Sequence, residues 1–295
     1  MGSIVITGAK GRIAAAISST IEQKCGEIIS VSRASGEGHL SHEDAFNGDV
    51  FKRASVILHC AWSSVPATSE SHPGIEWQND LPLLVRILNT LKDGGEHKPL
   101  FIFLSSAGTV YGNSPGRANI EVDISRPIGW YGRGKVAAET LCDHFAKDFG
   151  IPLLILRISN PYGFAIRPNR PQGIISVALE AAKSGNTLRI WGDGSAKKDF
   201  LHCKDLADAL ALAINRRITG VFNLGYGFSH QVNDVLKIVE RMTGKTLDVN
   251  FTPAPTWDVS DSRVNCDAFR AATEWRPSID LEKGVHLCVE TQIDP

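Results

Sequence analysis

The chain has 295 residues, 43% of them apolar and 21% charged, which suits one large α/β unit with a modest appended lobe. Its 31 Lys plus Arg nearly balance 32 Asp plus Glu, so no general electrostatic pull draws it to nucleic acid or to an anionic membrane, and affinity for phosphate must come from a local site. Six scattered cysteines, without a CxxC or a nearby His in ligand spacing, read as reduced thiols and not as a disulfide framework or a metal centre.

Ser3–Thr7 is too short an apolar run for a signal peptide or a membrane span, and the protein is expected to be cytoplasmic. Strand and helix patterns then alternate. Ile4–Thr7 reads as a buried strand, and 12–24 carries Ile13, Ala16, Ile17 and Ile21 at helical spacing. Segments 27–32, 55–61 and 100–105 are further strands. Between the last two, 76–92 repeats Leu81, Leu84, Val85, Leu88 and Leu91 as an amphipathic helix ended by Gly94-Gly95. A helix over 131–149 ends at Gly150, and a strand follows at 153–158. Repeated β-then-α units imply a parallel sheet covered on both faces. After Asn160 prolines and glycines break the alternation, helices are expected at 173–184, 205–215 and 232–243, and Pro253-Ala254-Pro255 opens an irregular stretch.

The first strand–helix turn is Thr7-Gly8-Ala9-Lys10-Gly11-Arg12-Ile13-Ala14. A tight glycine turn there aims helix-start N–H groups at a pyrophosphate, which makes Gly8, Lys10, Gly11, Arg12 and Ile13 candidate dinucleotide contacts. The second strand ends in Arg33 without a carboxylate for the ribose hydroxyls. Arg33, Lys10 and Arg12 together suit a 2′-phosphate, so NADP(H) is favoured over NAD(H). Farther on, Tyr131 and Lys135 stand four apart on one helical face. The lysine ammonium is expected to bring the phenol's ionisation down towards neutrality, where it can exchange protons.

These segments resemble the extended short-chain dehydrogenase/reductases, specifically the NAD(P)-dependent epimerase/dehydratase family that includes UDP-galactose 4-epimerases and nucleotide-sugar 4-ketoreductases. TGAKGRIA looks like that family's TGxxGxxG, and His59-Cys60-Ala61-Trp62 resembles its HLAA strand end beside the cofactor. Asn79 falls where the family has a helix-kinking Asn. Ser105–Gly112 looks like SSSATVYG, residues 131–135 like YGxSK, 157–163 like R-x-x-N-P-x-G, and 191–202 like GDGxxxRDFxHV. The resemblance implies an α/β fold: a doubly wound parallel (Rossmann-type) sheet over 1–160 and a smaller C-terminal substrate-binding lobe over 161–295, with segments near 185–215 returning to the Rossmann core. It implies Tyr131 as acid/base with Lys135 as its helper, Cys60, Ala61, Trp62, Asn79 and Ser105 beside the cofactor, and Asn160, Trp191 and Lys198 towards a nucleotide-sugar substrate.

Departures from the family pattern matter. Its catalytic Ser or Thr is replaced by Ala107, so Thr109 or Ser106 must reach the sugar's C4 oxygen, Thr109 being favoured. Lys198 stands where an Arg is usual and Pro255 where a second is expected; Arg263, Arg167 and Arg170 are candidate substitutes. Gly108-Thr109 occupy the Asp-Glu positions of a 4,6-dehydratase, which argues against dehydration. Three readings stay open: a 4-ketoreductase with exchanging NADPH, placed slightly first on the basic loop; a 4-epimerase with tightly held NAD; and a dinucleotide-binding sensor that has lost its chemistry. The family often forms homodimers through helices matching 76–92 and 131–149, which could equally be covered within one chain.

Overall fold

A computed structural model describes residues 2–93, 98–114, 116–164 and 173–293. Arg167, Arg170 and the Gly94-Gly95 helix end lie outside the described residues. In chain order the elements are β1 (Ile4–Thr7), α1 (Arg12–Cys25), β2 (Ile28–Ser32), β3 (Leu40–Ser41), α2 (His42–Asn47), α3 (Val50–Arg53), β4 (Val56–His59), α4 (Pro66–Ser71), α5 (Ile75–Lys92), β5 (Leu100–Ser106), α6 (Ala107–Val110) and α7 (Trp130–Phe149). There follow β6 (Leu153–Ile158), β7 (Asn160–Tyr162), α8 (Ile174–Ser184), β8 (Leu188–Trp191), β9 (Lys197–His202), α9 (Cys203–Asn215), β10 (Gly220–Leu224), β11 (Ser229–Gln231), α10 (Val232–Thr243), β12 (Val249–Thr252), α11 (Asp267–Thr273) and α12 (Leu281–Ile293).

Seven parallel strands form the central sheet in the order β10-β6-β5-β4-β1-β2-β3. The alternation along each strand builds a core on both faces. Ile4, Ile6, Leu58 and Ile102 pack on the side of α1 and α9, and Val5, Ile57, Phe101 and Phe103 on the side of α5 and α7. The chain leaves β1 towards β2 on one side and returns through β4 on the other. The sheet therefore has its switch point between the carboxyl ends of β1 and β4, where open α/β sheets bind ligands. Thr7 and His59 close that point at 2.9 Å.

The lobe has its own core of Ile175, Leu179, Ile190, Val235, Val239 and Val285. The later segments that rejoin the central layer are α9, packed on α1, and β10, paired with β6. They span 203–224 rather than the expected 185–215, because β8 pairs with β12 inside the lobe. All six cysteines are free thiols. Among the described residues no helix is long and apolar enough to cross a membrane.

Candidate active site

The glycine loop meets the expectation for an anion cradle. Gly8 has φ +67°, and a Cβ there would lie 2.6 Å from Ala61 Cα, so only glycine lets β1 turn this close to the end of β4. Gly11 caps α1 with no side-chain hydrogen bond, and no acidic residue stands in the first turn. The helix start thus keeps N–H groups and a positive dipole end for an anion. Ala14 is fully buried, which explains a small third residue in the motif. Lys10 is exposed and its Nζ reaches 3.4 Å from where a Cβ on Gly36 would stand, so it spans to the loop after β2. Arg33 is exposed at the end of β2, Arg12 is half-buried at the head of α1, and Ile13 packs against the core.

Cys60, Ala61 and Trp62 follow β4 as a half-buried shelf. Burial pushes the Cys60 thiol up to about 12, so it stays protonated. His59 beneath it is buried between Phe101 and Phe103, and burial, then Lys135, takes its imidazole down to about 3. It is a neutral strut.

Lys135 is 4% exposed. Its Nζ donates to the Leu104 carbonyl at 2.9 Å and sits 3.7 Å from the Trp62 ring centroid. Burial lowers it to about 7, against the pull of Asp80. Tyr131 is half-buried, its ring edge-on to Trp62 at 6.3 Å, and its hydroxyl makes no hydrogen bond among the described residues. Lys135 lies 5.8 Å from the Tyr131 ring. The expected acidification is absent from the chain alone: burial, then Asp80 and Glu76, hold the phenol's proton more tightly than usual. The spacing argument foresaw the lysine but not the two carboxylates opposite it. Gly132 lets the start of α7 meet α6, since a Cβ there would lie 2.6 Å from the Thr109 carbonyl oxygen.

Several other expected contacts sit differently. Asn79 is exposed, off the buried stripe of α5, and the residue facing inward is Asp80. Ser105 lies on the α7 side of β5, and its hydroxyl donates to Glu139, itself paired with Arg157 at 2.7 Å. That leaves only the Ser105 backbone for a cofactor. Ala107 is buried with Val110, Tyr111, Val264 and Cys266, so its methyl completes a small core. Thr109 turns its hydroxyl back to the Ser106 carbonyl at 3.5 Å. Ser106 is half-buried, and its hydroxyl makes no hydrogen bond among the described residues and faces Gly108 together with the Asn160 amide. Of the two candidate hydroxyls, that of the favoured Thr109 has a backbone partner and that of Ser106 has none among the described residues. Ser106→Ala is accordingly expected to lower kcat on the order of tenfold to a hundredfold, and Thr109→Val by less than about threefold. Steady-state rates of the two variants check this, and the reverse order would restore Thr109.

Towards the lobe, Asn160 donates to the Asp199 carbonyl at 2.9 Å. Trp191 is 41% exposed and stands edge-on to Trp257, 4.9 Å between centroids. Trp257 in turn lies against Gly129, where a Cβ would come 3.4 Å from its own, and the Glu70 carboxylate caps the adjacent Trp130 N–H at 2.6 Å. This tie between the lobe and the head of α7 had no periodic signal in the sequence. Lys198 is held by Asp258 at 3.1 Å and by the Val259 carbonyl, and Arg263 by Asp261 at 2.7 Å. Of the expected diphosphate cations, the two that lie among the described residues are therefore engaged within the chain.

A model of the NAD dependent epimerase/dehydratase family matches residues 4–225. A putative UDP-glucose 4-epimerase of Methanocaldococcus jannaschii is 27% identical over 240 residues, 81% of this chain and 77% of that protein. The dTDP-4-dehydro-6-deoxyglucose reductase of Escherichia coli is also 27% identical, over 80% of this chain and 74% of its own. The crystal structure of UDP-glucose 4-epimerase from Thermotoga maritima with UDP-glucose superposes with a TM-score of 0.88 at 25% identity, covering 99% of this chain and 98% of that one.

Proposed function

This chain belongs to the NAD dependent epimerase/dehydratase family, and from that premise we propose that it is an oxidoreductase acting at C4 of a nucleotide-linked sugar, with 4-epimerisation as the leading reading. The observation that carries the proposal is the packing of Tyr131 and Lys135 against Trp62, on the shelf that Gly8 approaches at the switch point of the sheet. The residues fit a dinucleotide. Gly8 leaves the space a Cβ would fill, the start of α1 is uncapped, and the buried Trp62 Nε1 has no partner among the described residues. When bound, the nicotinamide supplies a hydride acceptor and donor.

The chain's own residues do the rest. Tyr131 takes the proton from the sugar hydroxyl as the C4–H bond breaks, and gives it back on return. Ser106 holds the same oxygen by a hydrogen bond. Lys135, fixed by Leu104 and Trp62, would hold a ribose hydroxyl of the bound dinucleotide and supplies positive charge near the phenol. Trp191 on Trp257 offers a flat apolar face to a nucleobase. The packing of α5 against α7, with Trp77 and Phe149 exposed, supports a homodimer through these helices.

A second reading, a 4-ketoreductase using NADP(H), is favoured by Arg33 and Lys10 near the ribose end of the cradle. Arg33→Ala is expected to weaken NADPH on the order of tenfold or more and NADH by less than about twofold, measured by titration. Equal losses would remove the 2′-phosphate argument. Identifying the nicotinamide recovered with purified protein separates the readings. Stoichiometric NAD and interconversion of C4 epimers of a UDP-hexose support the epimerase. Empty protein that reduces a 4-keto sugar nucleotide with NADPH supports the reductase. Binding without turnover on any nucleotide sugar would overturn both and leave a sensor.

A further inference from the structure

Two acidic side chains enter the Tyr131–Lys135 site from α5, and the chemistry above uses neither. Glu76 and Asp80 stand one helical turn apart on its buried stripe, 0% and 5% exposed. The backbone N–H and hydroxyl of Ser63 donate to Asp80 at 2.7 and 3.0 Å. The hydroxyls of Ser64 and Ser69 donate to Glu76 Oε1, and Glu76 Oε2 has no partner among the described residues. Gly134 admits Glu76 against the turn of α7 that carries Tyr131 and Lys135: a Cβ on Gly134 would lie 2.7 Å from Glu76 Cγ. The carboxyl pair therefore borders the reacting end of the site and also pins the shelf of Cys60, Ala61 and Trp62 from behind.

Pinning that shelf does not require charge. An amide at position 80 would keep both contacts, its oxygen accepting from the Ser63 N–H and its NH2 donating to the Ser63 hydroxyl oxygen. A buried carboxylate costs stability unless a cation answers it, and no Lys or Arg among the described residues forms an ion pair with Asp80 or Glu76. The nearest candidate, Lys135, spends its hydrogen bond on Leu104 and its face on Trp62. Among the described residues, the negative charge at the site is thus answered through space by the buried Lys135, with no ion pair to either carboxylate.

We propose that Asp80, backed by Glu76, is a positioning residue whose charge selects the oxidised, cationic nicotinamide over the reduced, neutral one. The inference rests on the functional reading above, which brings a nicotinamide to Tyr131. A unit charge bordering a partly desolvated site accounts for about a tenfold preference. The resting form is then the oxidised one. That suits a reaction that begins by taking hydride from C4, and it works against one that must begin from reduced cofactor.

Dissociation constants of NAD+ and NADH, measured by calorimetry on the full chain, test this in Asp80→Asn and Ser63→Ala. The first removes the charge and keeps the shape, whereas the second loosens the same loop and keeps the charge. Asp80→Asn is expected to weaken NAD+ about tenfold relative to NADH, and Ser63→Ala to leave that ratio unchanged. Equal weakening of both forms, or a Ser63→Ala ratio shifted as far as that of Asp80→Asn, would overturn the proposal. Should Asp80→Asn fail to fold, Glu76→Gln is read by the same ratio. If the wild-type chain binds neither redox form of NAD or NADP, the functional reading itself falls. If it binds them and only the variant ratios fail to move, that reading stands and this inference falls.

Discussion

Replacing Tyr131 with Phe is expected to cut turnover on a nucleotide sugar at least about a thousandfold while dinucleotide affinity stays within about threefold. The ring would keep its edge contact with Trp62, and the lost hydroxyl makes no hydrogen bond among the described residues, so folding has little to lose. The chemistry has much to lose. Proton transfer by a placed side chain contributes on the order of a hundredfold to ten-thousandfold, and neither the thiol nor the imidazole beside the shelf is suited to replace it. Cys60 is pushed up to about 12 and His59 down to about 3, with its ring behind the shelf. Steady-state rates and cofactor titrations of the purified variant check both halves. Activity within tenfold of the parent would place the proton transfer elsewhere.

The phenol's environment sharpens that expectation. In the chain alone, burial and two carboxylates hold the Tyr131 proton in place, and Lys135 is itself pulled down to about 7. A site in this condition is not an active base at rest. Its phenol becomes one only when further positive charge arrives, which ties proton transfer to an occupied cofactor cradle. Asp80 then has two effects on one reaction: it opposes loss of the Tyr131 proton in the empty site and favours a cationic ring in the filled one.

Much of the fold was legible because its elements carry a strong period. The run Leu81, Leu84, Leu88 and Leu91 announces α5, and the apolar run at 100–106 announces a strand buried on both faces. The glycine loop was legible for a different reason: its backbone needs residues that only a few side chains allow. The lobe was harder. The helix α12 has Gly284 in its first turn, which sequence patterning treats as a breaker, yet a Cβ there would lie 1.9 Å from the Tyr162 hydroxyl oxygen. Close packing, invisible in one dimension, demanded that glycine. In the site, a helix turns about 100° per residue, so the exposed Asn79 and the buried Asp80 lie on different faces of α5, which motif matching alone does not tell. The preference for Thr109 over Ser106 takes no account of how the chain folds just after β5. A single turn of helix, α6, decides which hydroxyl is spent on the backbone. Lys198 and Arg263 were read as cations awaiting phosphate, whereas their partners Asp258 and Asp261 lie in the irregular stretch after Pro255, where no pattern pairs residues.

The largest stability effect is expected at Lys135, where function and folding pull in opposite directions. Its ammonium is buried and lowered to about 7, against 10.5 for the free side chain. Between those values the folded chain binds fewer protons than the unfolded one, so stability rises with pH from about 7 to 10.5. Below pH 7 the full cost of burying the charge is present, a few kcal/mol by the size of the shift. Lys135→Met keeps the aliphatic stem against Trp62 and removes the charge, at the loss of one hydrogen bond to Leu104 worth about 1 kcal/mol. The cofactor-free variant should therefore melt several degrees higher than the parent at pH 6, with the gap narrowing towards pH 10. It should also lose nearly all turnover, since the ribose contact and the positive charge beside the phenol go together. Thermal melts at the two pH values, with rates alongside, carry the comparison. A variant less stable than the parent at pH 6 would show that the buried ammonium is already neutralised by Asp80, and the oxidised-cofactor preference would lose its electrostatic basis with it.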